Sequence, residues 1–194
     1  MQLVIIKYNA GNIQSVSFAL ERLGVDFLIT DNPEEIQKAD KVIFPGVGEA
    51  STTMNYLRER NLDKLIVQLK QPLLGVCLGM QLMCRYSEEN NTECLGIFQE
   101  TVKRFIPEGD YKVPHMGWNN LTLSNGWLDP ELETKFAYFV HSYYIPVNQF
   151  TSAITEYINP FSSAMHKDNF YAVQFHPEKS AVTGELVLKS FLKL

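Results

Sequence analysis

The sequence predicts an α/β fold, with a mostly parallel sheet flanked by helices and antiparallel strands added in the second half. Three observations carry that prediction. In the first half, short apolar runs alternate with amphipathic stretches of helical period. The runs are apolar at consecutive positions, as strands buried on both faces are. From about Gly96 to Phe175 the rhythm changes to β-branched and aromatic segments broken by Pro, Asn, Gly and Asp, the pattern of hairpins.

The elements follow in order. LVII (3–6) reads as a buried strand. Asn12 is placed to cap a helix whose Ile13, Val16, Leu20 and Leu23 share one face, and Gly24 closes it. VDFLIT (25–30) is a second strand, and Pro33 opens a short helix at the position where its fixed φ is an advantage. KVIF (41–44) is a third strand and runs into PGVG, with a helical stretch through Lys70 behind it. PLLGVC (72–77) is the next strand and GMQLMCRY the helix after it, which places Cys84 on nearly the same helix face as Cys77, in the core. FAYFVHSYYIPV, SAITEYI and FYAVQF are expected to add antiparallel strands to the first sheet, and a helix over about 181–193 carries Val182, Leu186, Val187 and Phe191. Strand–helix alternation implies right-handed crossovers. With no repeat, low-complexity tract or linker, one domain over residues 1–194 is expected.

Composition narrows the function classes. Hydrophobic residues make up 45% and charged residues 20%, an ordinary globular balance. The net charge is −5 and Lys and Arg form no cluster, which argues against nucleic acid as a partner. The three cysteines, Cys77, Cys84 and Cys94, form no C-x-x-C pair and have no paired histidine spacing. Neither a disulfide framework nor a structural zinc site is expected, and a reducing cytoplasm fits best. The apolar stretch in MQLVIIKYNAG is short for a secretory signal, and no run approaches the ~18 apolar residues of a membrane span.

The chemistry concentrates at GVCLGMQLM (75–83). Cys77 ends a predicted strand where a helix begins, and Gly75 and Gly79 give G-x-C-x-G, the cysteine form of a nucleophile elbow. Such a turn is sharp, so small neighbours are needed where strand and helix pack. A helix N-terminus favours thiolate, and the N–H of Leu78 is expected to be free and to point where an oxyanion forms. On its own the motif also describes a buried structural cysteine beside a tight turn, so the elbow needs a base. QFHPEKS (174–180) offers one: in extended chain His176 and Glu178 project to the same side, and a carboxylate beside an imidazole fixes its tautomer. PGVG (45–48) can turn its backbone so that Val47 or Gly48 presents an N–H to an anion, or it is only a strand-to-helix turn.

GVCLGMQLM, VQFHPEKS and PGVG resemble the motifs of the class I (triad) glutamine amidotransferases. Within that family, YNAGNIQSV and PHMGWN (114–119) resemble the glutaminase subunits of imidazole glycerol phosphate synthases, with matching order and spacing from Ile5 to Ser180. The resemblance implies the flavodoxin-like fold of that family and a glutaminase with no cofactor and no metal. Cys77, His176 and Glu178 would be its triad, acting on L-glutamine. Leu78 with Val47 or Gly48 would hold the oxyanion, and the PGVG peptide would need to reorient first, keeping basal activity low. Gln81, Glu89, His141, Ser142 and Tyr143 would bind glutamine, with Glu89 pairing its ammonium. The partner would be a (β/α)8-barrel cyclase subunit, forming a heterodimer that receives ammonia and makes imidazole glycerol phosphate and aminoimidazole carboxamide ribonucleotide in histidine biosynthesis. Asn12, Met116, Trp118, Tyr138 and Lys179 would line the docking surface. By residue chemistry alone Gln81 and Glu89 also read as surface residues, His141 as a strand histidine satisfied within the protein, and Met116 and Trp118 as loop packing.

Three other readings stay open. A paralogue would feed ammonia to a related barrel in surface-sugar biosynthesis. A cysteine hydrolase acting on peptides would need no partner and would leave Gln81 and PHMGWN without a role. A scaffold that had lost activity would not need Cys77, His176 and Glu178 together.

Overall fold

The apolar runs become strands because both of their faces are covered. The computed structural model describes residues 1–8, 13–124 and 126–194. In chain order, β1 (Leu3–Ile6), α1 (Ile13–Arg22), β2 (Phe27–Thr30), α2 (Pro33–Lys38), β3 (Lys41–Phe44), α3 (Ala50–Glu59), α4 (Leu62–Gln68), β4 (Leu73–Val76) and α5 (Leu78–Leu82) make the first half. The second half contains β5 (Cys84–Ser87), β6 (Thr92–Glu93), β7 (Phe98–Arg104), β8 (His115–Asn120), β9 (Thr122–Leu123), β10 (Phe136–His141), β11 (Tyr143–Tyr144), β12 (Thr151–Glu156), β13 (Pro160–Lys167), β14 (Phe170–Val173) and α6 (Ala181–Leu192).

An eight-stranded sheet runs β2-β1-β3-β4-β14-β13-β12-β9. From β2 to β14 neighbouring strands are parallel; β13, β12 and β9 continue it antiparallel. The period of two sends alternate side chains to opposite cores. Leu3 and Ile5 of β1 pack with Leu20 of α1 and Phe191 of α6, whereas Val4 and Ile6 pack with Ile36 of α2, Leu57 of α3 and Ile66 of α4. All four β1 side chains are fully buried, each burial contributing about 1.5–3 kcal/mol.

The structure corrects several expectations. The helical stretch to Lys70 is two helices: Asn61 adopts φ 55°, a left-handed conformation that ends α3 and redirects the chain into α4. GMQLMCRY is not one helix either. α5 stops at Leu82, and Cys84–Ser87 is a strand pairing parallel with β7, so Cys84 is core but lies on no face shared with Cys77. FYAVQF is not simply antiparallel: β14 lies parallel to β4 on one side and antiparallel to β13 on the other. Nor do all later strands join the first sheet. β10 and β8 form a separate two-stranded ribbon, and β11-β7-β5-β6 a small third sheet. Asn12, and with it the expected cap of α1, lies outside the described residues. Among those described, no helix is long and apolar enough to cross a membrane.

Candidate active site

The carboxyl ends of β3, β4 and β14 converge on one edge of the sheet, where doubly wound folds collect their chemistry. β4 delivers Cys77. Its backbone is held at φ 52°, ψ −108°, a conformation that L-residues disfavour by about 1–3 kcal/mol. The neighbours enforce it: Cys77 N–H donates to Val173 of β14 (2.8 Å), and its carbonyl accepts from Gln81 N–H (3.2 Å). The flanking glycines are sterically required. A Cβ on Gly79 would sit 2.1 Å from the Phe44 carbonyl oxygen, and one on Gly75 3.0 Å from the Met80 nitrogen.

His176 follows β14 and is fully buried, with Glu178 Oε1 2.7 Å from its Nδ1. The pairing forms in a way the sequence did not suggest. Pro177–Lys179 is a 3-10 turn, not extended chain, and the curl of that turn brings the carboxylate back onto the ring. The ring also interacts with the Cys77 sulfur, as expected of a nucleophile and its base. Burial works against charging the imidazole. The Cys77 sulfur and the Glu178 carboxylate outweigh it and raise its pKa to about 10. The turn is anchored from two directions: His176 N–H donates to the Tyr138 carbonyl (2.9 Å), and Ser180 Oγ bridges the His176 carbonyl (2.7 Å) and Tyr138 N–H (2.9 Å). Behind it, Gly184 of α6 packs so closely that a Cβ there would lie 1.8 Å from the Pro177 oxygen.

A cavity of about 340 Å³ opens over Cys77 and His176. Of the residues expected to serve it, Val47, Gly48, Leu78, Gln81, Glu89, Ser142 and Tyr143 line it, joined by Pro114 and Val140, which sequence reasoning missed. Gln81 is buried, not solvated: its Nε2 donates to the Tyr143 carbonyl (3.1 Å) and to Gln174 Oε1 (2.9 Å). Glu89 accepts the first N–H of α3, from Ala50 (2.8 Å). Partial burial and the charge of Glu49 raise its carboxyl pKa against that bond.

Two expectations are corrected. His141 does not reach the cavity; it lies in the core, where its Nδ1–H donates to the Tyr143 carbonyl (2.7 Å) and its Nε2 meets His115 Nδ1 (3.0 Å). Burial, chiefly, lowers its pKa to about 3 and that of His115 to about 4, so both are neutral. The Leu78 N–H is not free, because it donates to the Gly46 carbonyl (3.3 Å). PGVG thus occupies the N–H expected to serve an oxyanion, and the Tyr8 hydroxyl holds the same loop through the Pro45 carbonyl. Tyr8 opens the YNAGNIQSV stretch, but no role was assigned to it there. Gln174 had a signal, an amide inside an apolar strand.

The ribbon flanking the site has an apolar outer face. Its register pairs Tyr138 with Trp118 and Val140 with Met116. Met116 is 63% exposed and Trp118 53%, so neither is loop packing. The Trp118 and Tyr138 rings meet edge-on at 5.9 Å, and exposed Lys179 reaches to 6.0 Å above the Tyr138 ring.

A strained cysteine at the carboxyl edge of a parallel sheet, paired with a buried His–Glu couple, defines a class of thiol acyl-transfer enzymes. A family model described as glutamine amidotransferase class-I matches residues 4–194, and the chain belongs to that family. Two relatives share its full length. The imidazole glycerol phosphate synthase subunit HisH of Bacteroides fragilis (strain YCH46) is 59% identical, and that of Bacteroides thetaiotaomicron 60%; each alignment spans all of both chains. The HisH subunit of Vibrio parahaemolyticus is 44% identical over all of this chain and 98% of its own. Among solved structures, a glutamine amidotransferase superposes with TM-score 0.75 over 98% of this chain and 97% of that one, at 18% identity. A putative GMP synthase subunit from Thermoplasma acidophilum gives 0.74 at 19% identity, over 100% and 93%. At those identities the structures speak for the fold.

Proposed function

We propose that the chain is the glutaminase subunit of an imidazole glycerol phosphate synthase. It hydrolyses glutamine to glutamate and ammonia and passes the ammonia to a cyclase partner in histidine biosynthesis. One observation carries the chemical part: Cys77, strained on its turn, lies against an imidazole that Glu178 orients at 2.7 Å. The HisH relatives, matched along their whole length, supply the pathway.

In this reading Cys77 is the nucleophile. Its proton resides on His176, and the sulfur attacks the side-chain amide carbon of glutamine. The tetrahedral oxyanion is held by Leu78 N–H and an N–H of Val47 or Gly48. His176 then gives its proton to the departing nitrogen, and ammonia leaves a γ-glutamyl thioester. Water attacks that thioester, His176 takes the water's proton, and glutamate departs as the thiol reforms. Glu178 keeps the ring in one tautomer and stabilises its charged form. Glu89, Gln81, Ser142 and Tyr143 would bind the amino-acid end of the substrate. The Gly46 carbonyl on Leu78 N–H means that PGVG must turn before the oxyanion site is complete. Hydrolysis by the chain alone is therefore slow.

The partner would be a (β/α)8-barrel cyclase. It would dock on Met116, Trp118, Tyr138 and Lys179, the aromatic and basic set beside the catalytic turn. It uses the ammonia to form imidazole glycerol phosphate and aminoimidazole carboxamide ribonucleotide. The test is glutamate release by the chain alone and with a barrel cyclase and its ribonucleotide ligand, with Cys77→Ala as blank. Slow release that rises steeply with partner and ligand, and is absent from the blank, is expected. Fast release without a partner overturns the gating, and no release in any condition overturns the assignment.

A further inference from the structure

A chain of hydrogen bonds ends on the nucleophile, and its polarity follows from a single carbonyl. The Tyr143 carbonyl can only accept, so Gln81 must turn its NH2 group toward it, as it does at 3.1 Å. The second hydrogen of that NH2 points to Gln174 at 2.9 Å, so Gln174 must present its oxygen there. A flipped Gln81 would set oxygen against oxygen, and a flipped Gln174 would set its NH2 against that of Gln81. The NH2 group of Gln174 is thereby turned toward Cys77, with Nε2 3.7 Å from Sγ, within the longer reach of sulfur. The orientation of this amide is dictated by its partners, not left to choice.

We infer that Gln174 is a further catalytic residue, whose side-chain N–H donates to the Cys77 sulfur and stabilises it as a thiolate nucleophile. Gln174 is fully buried and Cys77 nearly so. In that low-dielectric setting a bond to a charged acceptor is stronger than in water. The titratable groups near the sulfur are His176, with Glu178 behind it, and Tyr8. His176 both gives and takes protons during turnover. Gln174 cannot titrate, so its donor persists in every stage where sulfur is negative. A chain anchored on the Tyr143 carbonyl also links the nucleophile's charge state to a cavity wall.

The inference rests on Cys77 being the nucleophile, and its test does not require glutaminase turnover. The rate of Cys77 alkylation by iodoacetamide is followed against pH in the full chain and in Gln174→Met, which keeps length and burial but has no donor. The expected result is a profile displaced to higher pH, with the rate on its rising limb lower by roughly tenfold at a given pH, the effect of one pKa unit. An undisplaced profile in a variant that melts as the parent does overturns the inference. If the variant fails to fold, the unmodified chain decides. The Gln174 side-chain NH2 resonances should move as the thiol titrates and lose that step in Cys77→Ala; resonances that do not follow the thiol overturn it. Wild-type glutamate release under the same conditions shows separately whether the proposed activity stands.

Discussion

At the scale of single residues, steric fit positions the chemistry as much as charge does. Glu178 acts only through His176, so Glu178→Gln should leave the fold intact and lower kcat by roughly 10²–10⁴-fold, with a smaller change in KM, read by steady-state kinetics. Gly184 is remote from the cavity in sequence, yet a Cβ there meets the Pro177 oxygen at 1.8 Å. Gly184→Ala should cost about 1–3 kcal/mol in chemical denaturation and, by pushing the turn that holds His176 and Glu178, depress kcat as well. The proposed triad was legible only in combination: G-x-C-x-G alone also describes a buried structural cysteine, and HPE supplies the base that the elbow needs. Gly184 was not, because a glycine in a helix looks like any weak helix position until the facing backbone is known.

At the scale of elements, the pair of strands β8 and β10 does two jobs. Its inner face carries His115 and His141, buried neutral with pKa values near 4 and 3. The unfolded chain binds protons on both below about pH 6.5, whereas the folded protein does not. Their stabilising effect is complete above that pH and is lost as pH falls toward 4. Stability measured by denaturant should therefore drop between pH 6.5 and 4 by about 1.4 kcal/mol per pH unit for each ring, and His141→Gln should remove one share of the slope. The outer face presents Met116 and Trp118. Trp118→Ala should weaken cyclase binding by about 2 kcal/mol, roughly thirtyfold in Kd by titration calorimetry, while shifting the melting temperature little. In the sequence, PHMGWN read as a loop and FAYFVH as part of a larger sheet. Their pairing is long-range, and a two-stranded ribbon lacks the regular alternation that marks its face.

At the scale of the whole molecule, the parallel sheet brings residues 45–48, 77–89 and 174–178 to one edge, and the ribbon carries the proposed docking surface to the same place. Tyr138 joins the two: its backbone bonds His176 and Ser180 while its ring lies on the outer face. A cyclase docked as proposed would press on that ring and so be coupled to the base, and glutamate release should then rise with partner far more than with glutamine concentration alone. Tyr138→Ala should blunt that rise, as seen in kcat with and without the cyclase. The sequence by itself determined the buried strands, the α/β class, the elbow and the candidate residues of the proposed triad. All of these rest on local period and on residue types with narrow chemistry. Only the tertiary structure decided where α5 stops, why Glu178 meets His176, that His141 turns to the core, and that Leu78 N–H is occupied by Gly46. Each of those depends on a backbone or side-chain group distant in sequence or on the curl of a single turn, and neither periodicity nor a motif records which groups folding brings within 3 Å.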